Sequence, residues 1–283
     1  MIQDKCDAVD LNLGCPQGIA KKGFYGSFLQ DEWDLVYDII STLHINLRVP
    51  VCAKIRIFKD PAKTLAYAKH VCSAGVSILS VHGRTREMKG QLTGIADWGM
   101  IRRIREVIPR EVVMFANGNI QYHEDVERCL QFTGVDGVMS AEGHLHNPAV
   151  FLDPTASFED KYPRIDWVAK EYLEIVRELN DPCSNIALKT HLFALFRVAF
   201  EVHKDLRNLL GASRTYEESM KVIGILEERI DKEIQKTREN ESGIVPWYRC
   251  QPYIRSDRLV NTEDKEIEKV QVRQIEIDME VAQ

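Results

Sequence analysis

Val49-Pro50-Val51-Cys52-Ala53-Lys54-Ile55-Arg56, followed by the helical pattern Ala62–Ala74 and by Val76-Ser77-Ile78-Leu79-Ser80-Val81-His82, reads as strand, helix, strand. Short runs rich in β-branched residues make strands, and apolar positions recurring every three or four residues make a helix. Two nearly continuous apolar strands joined through a helix pair in parallel and are covered by helices. The alternation extends both ways: strand runs Ala8–Leu13, Val112–Asn117 and Val135–Ser140, and helical patterns Phe28–Leu43 and Trp98–Glu106. Every run ends in polar groups: Asn12-Leu13-Gly14-Cys15, Lys54-Ile55-Arg56, His82-Gly83-Arg84, Asn117-Gly118-Asn119 and Ala141-Glu142-Gly143. Parallel α/β folds build their sites at the C-terminal ends of the strands. No G-x-G-x-x-G follows any strand, so a TIM (β/α) barrel is expected over residues 1–152 rather than a doubly wound sheet. Five strands are legible where a closed barrel has eight, so the barrel is expected to be N-terminally incomplete.

Beyond residue 152 the patterns Asp166–Leu179, Asn185–Leu210 and Tyr216–Arg238 predict an all-α helical domain over 153–242. Asn185–Leu210 is locally basic, with Lys189, Arg197, Lys204 and Arg207 against Glu201 and Asp205. That is either a solvated helix face or a surface for a polyanion. A C-terminal extension, 243–283, opens on Trp247-Tyr248-Arg249-Cys250-Gln251-Pro252-Tyr253-Ile254-Arg255 and is expected to be partly disordered from Asn261 on. The aromatic and basic string suits base stacking or a strap that covers the helices.

The chain has 283 residues, 45% hydrophobic and 28% charged, enough apolar material for a sizeable core. A net charge of −6 advertises no nucleic-acid binding, so a polyanion partner would need a local basic surface. No apolar run approaches the roughly 20 residues of a membrane span, and the charged start Met1–Asp7 has no signal-like segment. An intracellular protein is expected, cytoplasmic with the nucleus as an alternative. The seven cysteines are scattered without C-x-x-C spacing, which disfavours a disulfide framework or a metal site.

Cys15 follows Gly14 and precedes Pro16 just past the first strand, where a thiol would reach the barrel mouth; the plainer alternative is an inert, partly buried cysteine. Lys54 interrupts an apolar strand, so its ammonium either meets an electron-rich ligand or snorkels to solvent. His82 ends a strand beside Arg84 and Arg86, in series with Lys54. Asn117-Gly118-Asn119 and Ala141-Glu142-Gly143 are ordinary βα turns or, as the loops after the last two strands of a barrel, a phosphate cradle.

Together, Asp10–Pro16, Lys54-Ile55-Arg56, Val81-His82-Gly83-Arg84-Thr85 and Ala116-Asn117-Gly118-Asn119-Ile120 resemble the tRNA-dihydrouridine synthases. Phe28-Leu29-Gln30-Asp31-Glu32-Trp33-Asp34, Met139-Ser140-Ala141-Glu142-Gly143 and Cys250–Arg255 resemble the eukaryotic branch acting on the 16/17 region of the tRNA D-loop. The resemblance implies an FMN-containing TIM barrel, a helical tRNA-binding domain and NADPH as reductant. It makes Cys15 the catalytic thiol, sets Lys54 and His82 on the flavin, and gives Asn117, Gly118, Asn119, Ala141 and Glu142 the FMN phosphate and ribityl chain. Asn12 and Arg84 would lie on the substrate side. Many members carry Gly-Arg where this chain has Ala141-Glu142, so backbone N–H groups rather than the Glu142 carboxylate are expected to bind phosphate.

The implied reaction passes hydride to C6 of uracil and a proton to C5. An ordinary thiol, pKa ~8.5, is protonated at neutral pH, which suits Cys15 to general acid. Lys54 would stabilise negative charge on the reduced flavin, and Gln17–Gln30, with Lys21, Lys22, Gly23 and Gly26, would be a flexible lid. Family members carry three strands before the Asn12 motif, whereas eleven residues precede it here, so a shortened form is expected. The alternative is a catalytically inactive protein that only binds RNA or a partner. The sequence gives no oligomeric state and implies no metal.

Overall fold

A computed structural model of the protein describes residues 2–179, 182–236 and 245–253. Two compact units emerge among the described residues, one of 2–120 with 124–140, the other of 121–123 with those from 141 to 253.

The first unit holds β1 (Val9–Asn12), α1 (Gly18–Gly23), α2 (Trp33–Asn46), β2 (Val51–Arg56), α3 (Pro61–Ser73), β3 (Ile78–His82), α4 (Trp98–Val107), β4 (Val113–Asn117), α5 (Glu124–Thr133) and β5 (Gly137–Met139). The five strands are parallel and lie side by side in chain order, β1-β2-β3-β4-β5. Consecutive order leaves no switch point, which a doubly wound sheet requires. The helices start where local chemistry allows: Asp60 Oδ1 accepts from the Ala62 amide with Pro61 in the first turn of α3, and Asp97 Oδ1 accepts from the Met100 amide at α4.

Neighbouring residues along a strand face opposite sides. Ala53, Ile55, Leu79, Val81, Met114 and Ala116, all fully buried, share one side and pack with Val36, Ile40, Tyr67, Val71, Ile101, Ile104 and Cys129 of α2 to α5. All four helices therefore cover one face of the sheet. The intervening positions carry Asn12, Lys54, Arg56, Ser80, His82 and Asn117, so the other face is polar towards the C-terminal ends.

The second unit consists of α6 (Glu142–His146), α7 (Phe158–Lys161), α8 (Ile165–Leu179), α9 (Pro182–Leu195), α10 (Ala199–Val202), α11 (Lys204–Ala212) and α12 (Tyr216–Lys236). Its core comprises Ile165, Leu173, Leu192, Phe196, Leu206, Leu226 and Ile230, together with Cys250. The string around Cys250 is a strap: Ile165 N–H donates to Tyr248 O and Cys250 N–H to Pro163 O. Residues Ile254 and Arg255 and the tail from Asn261 lie outside the described residues.

Two expectations change. Asn185–Leu210, read as one helix, is divided among α9, α10 and α11. No Gly or Pro interrupts it; His203 leaves the helical region (φ −120°, ψ 70°), while Phe196, Phe200, Leu206 and Leu210 all reach the core, so packing overrides propensity. Phe28–Leu43 likewise divides at Glu32 into a 3₁₀ turn, Gly26–Asp31, and α2. No described helix is long and apolar enough to cross a membrane.

Candidate active site

The strand register assembles the site. Asn12 pairs with Lys54 and Lys54 with Ser80; one pleat further on, Arg56 pairs with His82, His82 with Asn117, and Asn117 with Met139. Six polar side chains from four strands thus occupy two adjacent rows on one face, purely because the strands run in parallel in chain order.

The Cys15 loop is fastened from three sides. Asn12 Oδ1 accepts from the amides of Gly14 (3.0 Å) and Cys15 (3.2 Å), an Asx turn that consumes the acceptor end of Asn12 and leaves Nδ2 open. The Cys15 carbonyl accepts from both the amide (3.0 Å) and the hydroxyl (2.9 Å) of Ser27. Gly26, at φ +64°, lies so close that a Cβ there would fall 2.7 Å from the Cys15 carbonyl oxygen. Behind the loop, Arg56 Nε donates to Gly14 O at 2.7 Å, while its Nη1 donates to Thr85 O (2.9 Å) and Met88 O (3.3 Å). Cys15 is half-buried, whereas burial pushes the thiols of Cys72 and Cys129 up to about 11 and about 12. Low thiolate content makes those two poor nucleophiles.

Gln17–Gln30, expected as a flexible lid, is held in its second half. Ser27 and Gln30 are buried, Gln30 Nε2 donates to Arg56 O at 2.7 Å, and Arg86 Nη1 donates to Ser27 O. Only the Gly18–Tyr25 part is left to project.

The rows are strongly cationic. Burial, then the Arg56 charge, lowers Lys54 to about 8 against the pull of Asp10; Asp10 is itself raised by burial and lowered by Lys54. Lys54 Nζ makes no hydrogen bond or ion pair among the described residues. Arg56, 8% exposed, is lowered by burial, with Cys15 near enough to act the other way, and its hydrogen bonds all go to carbonyls. His82 is pushed down to about 2 by burial and then by Arg56, Lys54 and Arg84. Arg84 Nη1 lies 3.2 Å from His82 Nε2, its Nε donates to Gly94 O, and its Nη2 donates to Asn119 Oδ1. A guanidinium only donates, so Nε2 accepts and the proton of the neutral ring sits on Nδ1.

At the end of β4, Asn117 Nδ2 donates to Met139 O, and Trp98 Nε1 donates to Gly118 O. Gly118 has φ +107°; a Cβ would fall 2.6 Å from that of Ala96 and 3.0 Å from the His82 ring. An open cavity of about 710 Å³ is lined by Arg56, His82, Arg84, Met88, Lys89 and Thr93 among others.

The structure thus brings together Asn12, Cys15, Lys54, His82, Arg84, Asn117, Gly118 and Asn119. Ala141 and Glu142 fall in the second unit, where Ala141 precedes the short α6 and both are exposed. Sequence reasoning passed over Arg56, Ser27 and Gln30. Arg56 was findable, since it stands two residues after Lys54 and so on the same face; Ser27 and Gln30 carry no local signal.

Lys54 and Arg56 together form a buried positive field without a matching carboxylate on the guanidinium, an expensive arrangement unless an anionic group joins it. With the Nδ1–H of His82 and the close backbone at Gly118, these residues fit an electron-rich, phosphate-bearing cofactor such as FMN.

A sequence model of the dihydrouridine synthase (Dus) family matches residues 1–240. The chain is 50% identical over 269 residues to a tRNA-dihydrouridine(16/17) synthase [NAD(P)(+)] of Schizosaccharomyces pombe, covering 88% of this chain and 67% of that protein. It is 48% identical over 276 residues to that of Saccharomyces cerevisiae, covering 90% and 65%. A tRNA-dihydrouridine(16/17) synthase [NAD(P)(+)]-like protein of Mus musculus is 46% identical over 263 residues, covering 90% and 52%. The chain therefore spans between 52% and 67% of the length of these relatives.

Proposed function

The chain belongs to the dihydrouridine synthase family, and from that premise we infer that it reduces a uridine of the tRNA D-loop, at the 16/17 region named for its relatives, to 5,6-dihydrouridine. The relatives' names supply a nicotinamide reductant, read here as NADPH. The five-stranded arc is read as part of a TIM barrel with the polar face inside, and the second unit as the tRNA-binding portion. The observation that carries the reading is the fastening of the backbone around half-buried Cys15 beside two rows that hold the Lys54 and Arg56 charges and the neutral His82.

When bound, FMN supplies the hydride delivered to C6 of the uracil ring. Lys54, Arg56 and the Nδ1–H of His82 would hold its electron-rich ring system, and Asn117, Gly118 and Asn119 its phosphate and ribityl chain. Hydride addition leaves enolate character in the uracil. The Cys15 thiol would give its proton to C5, and solvent would restore it. Asn12 fixes where the Cys15 loop stands by accepting from two backbone amides at Oδ1, which leaves Nδ2 for the substrate. Lys54 and Arg56 act by charge, with no proton transfer. His82, neutral, donates from Nδ1 and cannot compete with Cys15 as the acid.

The test is single-turnover reoxidation of the reduced, flavin-loaded chain by tRNA transcript. Cys15→Ala should retain flavin and slow reoxidation by 10²–10⁴-fold, the usual worth of a general acid. Unchanged reoxidation would sink the acid role. A purified chain that binds tRNA but takes up no FMN would support the second reading, an RNA-binding protein without catalysis.

A further inference from the structure

The segment that projects beside Cys15 is built in an unusual way. Helix α1 ends in a Schellman motif: Phe24 N–H donates to Lys21 O and Tyr25 N–H to Ala20 O. That motif places its first residue beyond the helix in the left-handed region, where glycine is the ordinary choice. Here it is Phe24, at φ +54° and ψ +56°. Glycine was available one residue earlier, at Gly23, where a Cβ would strike the Tyr25 ring at 2.6 Å, so the ring lies against the end of the helix. An aromatic residue in this conformation strains the backbone, and burial does not compensate: Phe24 is 56% exposed, Tyr25 42% and Ile19 65%. Neither backbone preference nor packing asks for a phenylalanine at this position.

Its surroundings say what would cover it. Lys21 and Lys22 are exposed on the same short helix, and no acidic residue occurs between Asp10 and Asp31. The next residue, Gly26, rests on Cys15, and Gln17 and Gly18 line the same cavity as Arg56, His82 and Arg84. Exposed aromatic rings with lysines and no carboxylates suit unpaired nucleotides, whose bases stack and whose phosphates are attracted.

We propose that Phe24 and Tyr25, flanked by Lys21 and Lys22, form a stacking platform for an unpaired tRNA nucleotide adjacent to the reacting uridine. The proposal rests on the tRNA reading and deepens it: the platform holds a neighbouring base so that the target can leave its stack and stand before Cys15. Ring area rather than base identity would govern the contact.

The experiment measures binding of tRNA transcript by the full 283-residue chain, using fluorescence anisotropy, alongside thermal denaturation and dihydrouridine formation. Phe24→Gly removes the ring and suits the left-handed backbone, so Tm should hold or rise while Kd for tRNA weakens about tenfold. Phe24→Trp should restore wild-type Kd, and Lys21→Ala with Lys22→Ala should weaken Kd and flatten its salt dependence. Wild-type Kd in Phe24→Gly overturns the platform; if the wild-type chain still forms dihydrouridine, the reductase reading stands without it. Conversely, weakened binding in Phe24→Gly with no dihydrouridine from the wild-type chain supports the platform and removes the reductase reading. A wild-type chain that does not bind tRNA overturns both.

Discussion

Nη1 of Arg84 lies 3.2 Å from Nε2 of His82, and that one contact determines which imidazole nitrogen carries the proton. A guanidinium beside a half-buried ring also opposes a second proton, in company with Arg56 and Lys54. His82 should therefore remain neutral from about pH 5 to 8, with its hydrogen on Nδ1. Nitrogen-15 NMR of the imidazole checks this, and titration near pH 6.5 would contradict it.

The same depression has a stability consequence. Below about pH 6.5 the unfolded chain takes up a proton at His82 that the folded chain refuses, so stability falls with falling pH by up to ~1.4 kcal/mol per unit from this residue. His82→Gln should flatten that share of the acid limb, read by urea denaturation of both proteins across the window.

Lys54 bears on the alkaline side. Its value near 8 lies below the unfolded lysine near 10.5, so between those values the unfolded chain holds more protons and the folded state gains stability as pH rises. Over the same interval the site loses the charge that would attract an anionic cofactor. Lys54→Met should stabilise the flavin-free chain by about 1–2 kcal/mol at neutral pH and weaken FMN binding by about tenfold or more. Thermal denaturation and flavin fluorescence titration measure the two effects, which have opposite sign.

Arg56→Met leaves the carbonyls of Gly14 and Thr85 without a charged donor. The Met88 carbonyl loses its donor as well; the cost is about 2 kcal/mol, reduced from the sum of the bonds because a buried cation is also removed. The Cys15 loop should loosen, and iodoacetamide should alkylate Cys15 several-fold faster than in the wild-type chain. An unchanged alkylation rate would mean that Asn12 and Ser27 suffice to hold it.

Gly26→Ala combines a left-handed backbone with a Cβ 2.7 Å from the Cys15 carbonyl and 2.9 Å from the Cys15 Cβ. A destabilisation of about 2–3 kcal/mol is expected, with slower flavin reoxidation by tRNA. Gly90→Ala shares the positive φ but has open space around it, and should cost only about 1 kcal/mol.

The strands were legible because their apolar runs are continuous and the helices between them amphipathic, and parallel pairing followed from that alternation. Register was not legible, yet it turns Asn12, Lys54 and His82 from separate residues into neighbours. Arg56 is legible as a polar strand end two residues after Lys54, but its hold on two loops comes only with the fold. Ser27 and Gln30 were hidden for a deeper reason: a serine 12 residues from Cys15 and a glutamine 26 residues from Arg56 become partners only after the chain has folded. The break within Asn185–Leu210 was invisible for the same reason, since packing decides it and no breaker residue marks it.

Arg56 sits on β2, while its guanidinium grips the loop after β1 at Gly14 and the loop after β3 at Thr85 and Met88. A displacement of the third strand's loop must therefore drag the thiol-bearing loop with it or break a charged hydrogen bond. Whatever presses on Thr85–Met88 from the cavity side is sensed at Cys15 on the far side of an intervening strand. The side chain works as a tie-rod: loops that share no sequence move as one mechanical part, and occupancy of the mouth and placement of the acid become a single degree of freedom.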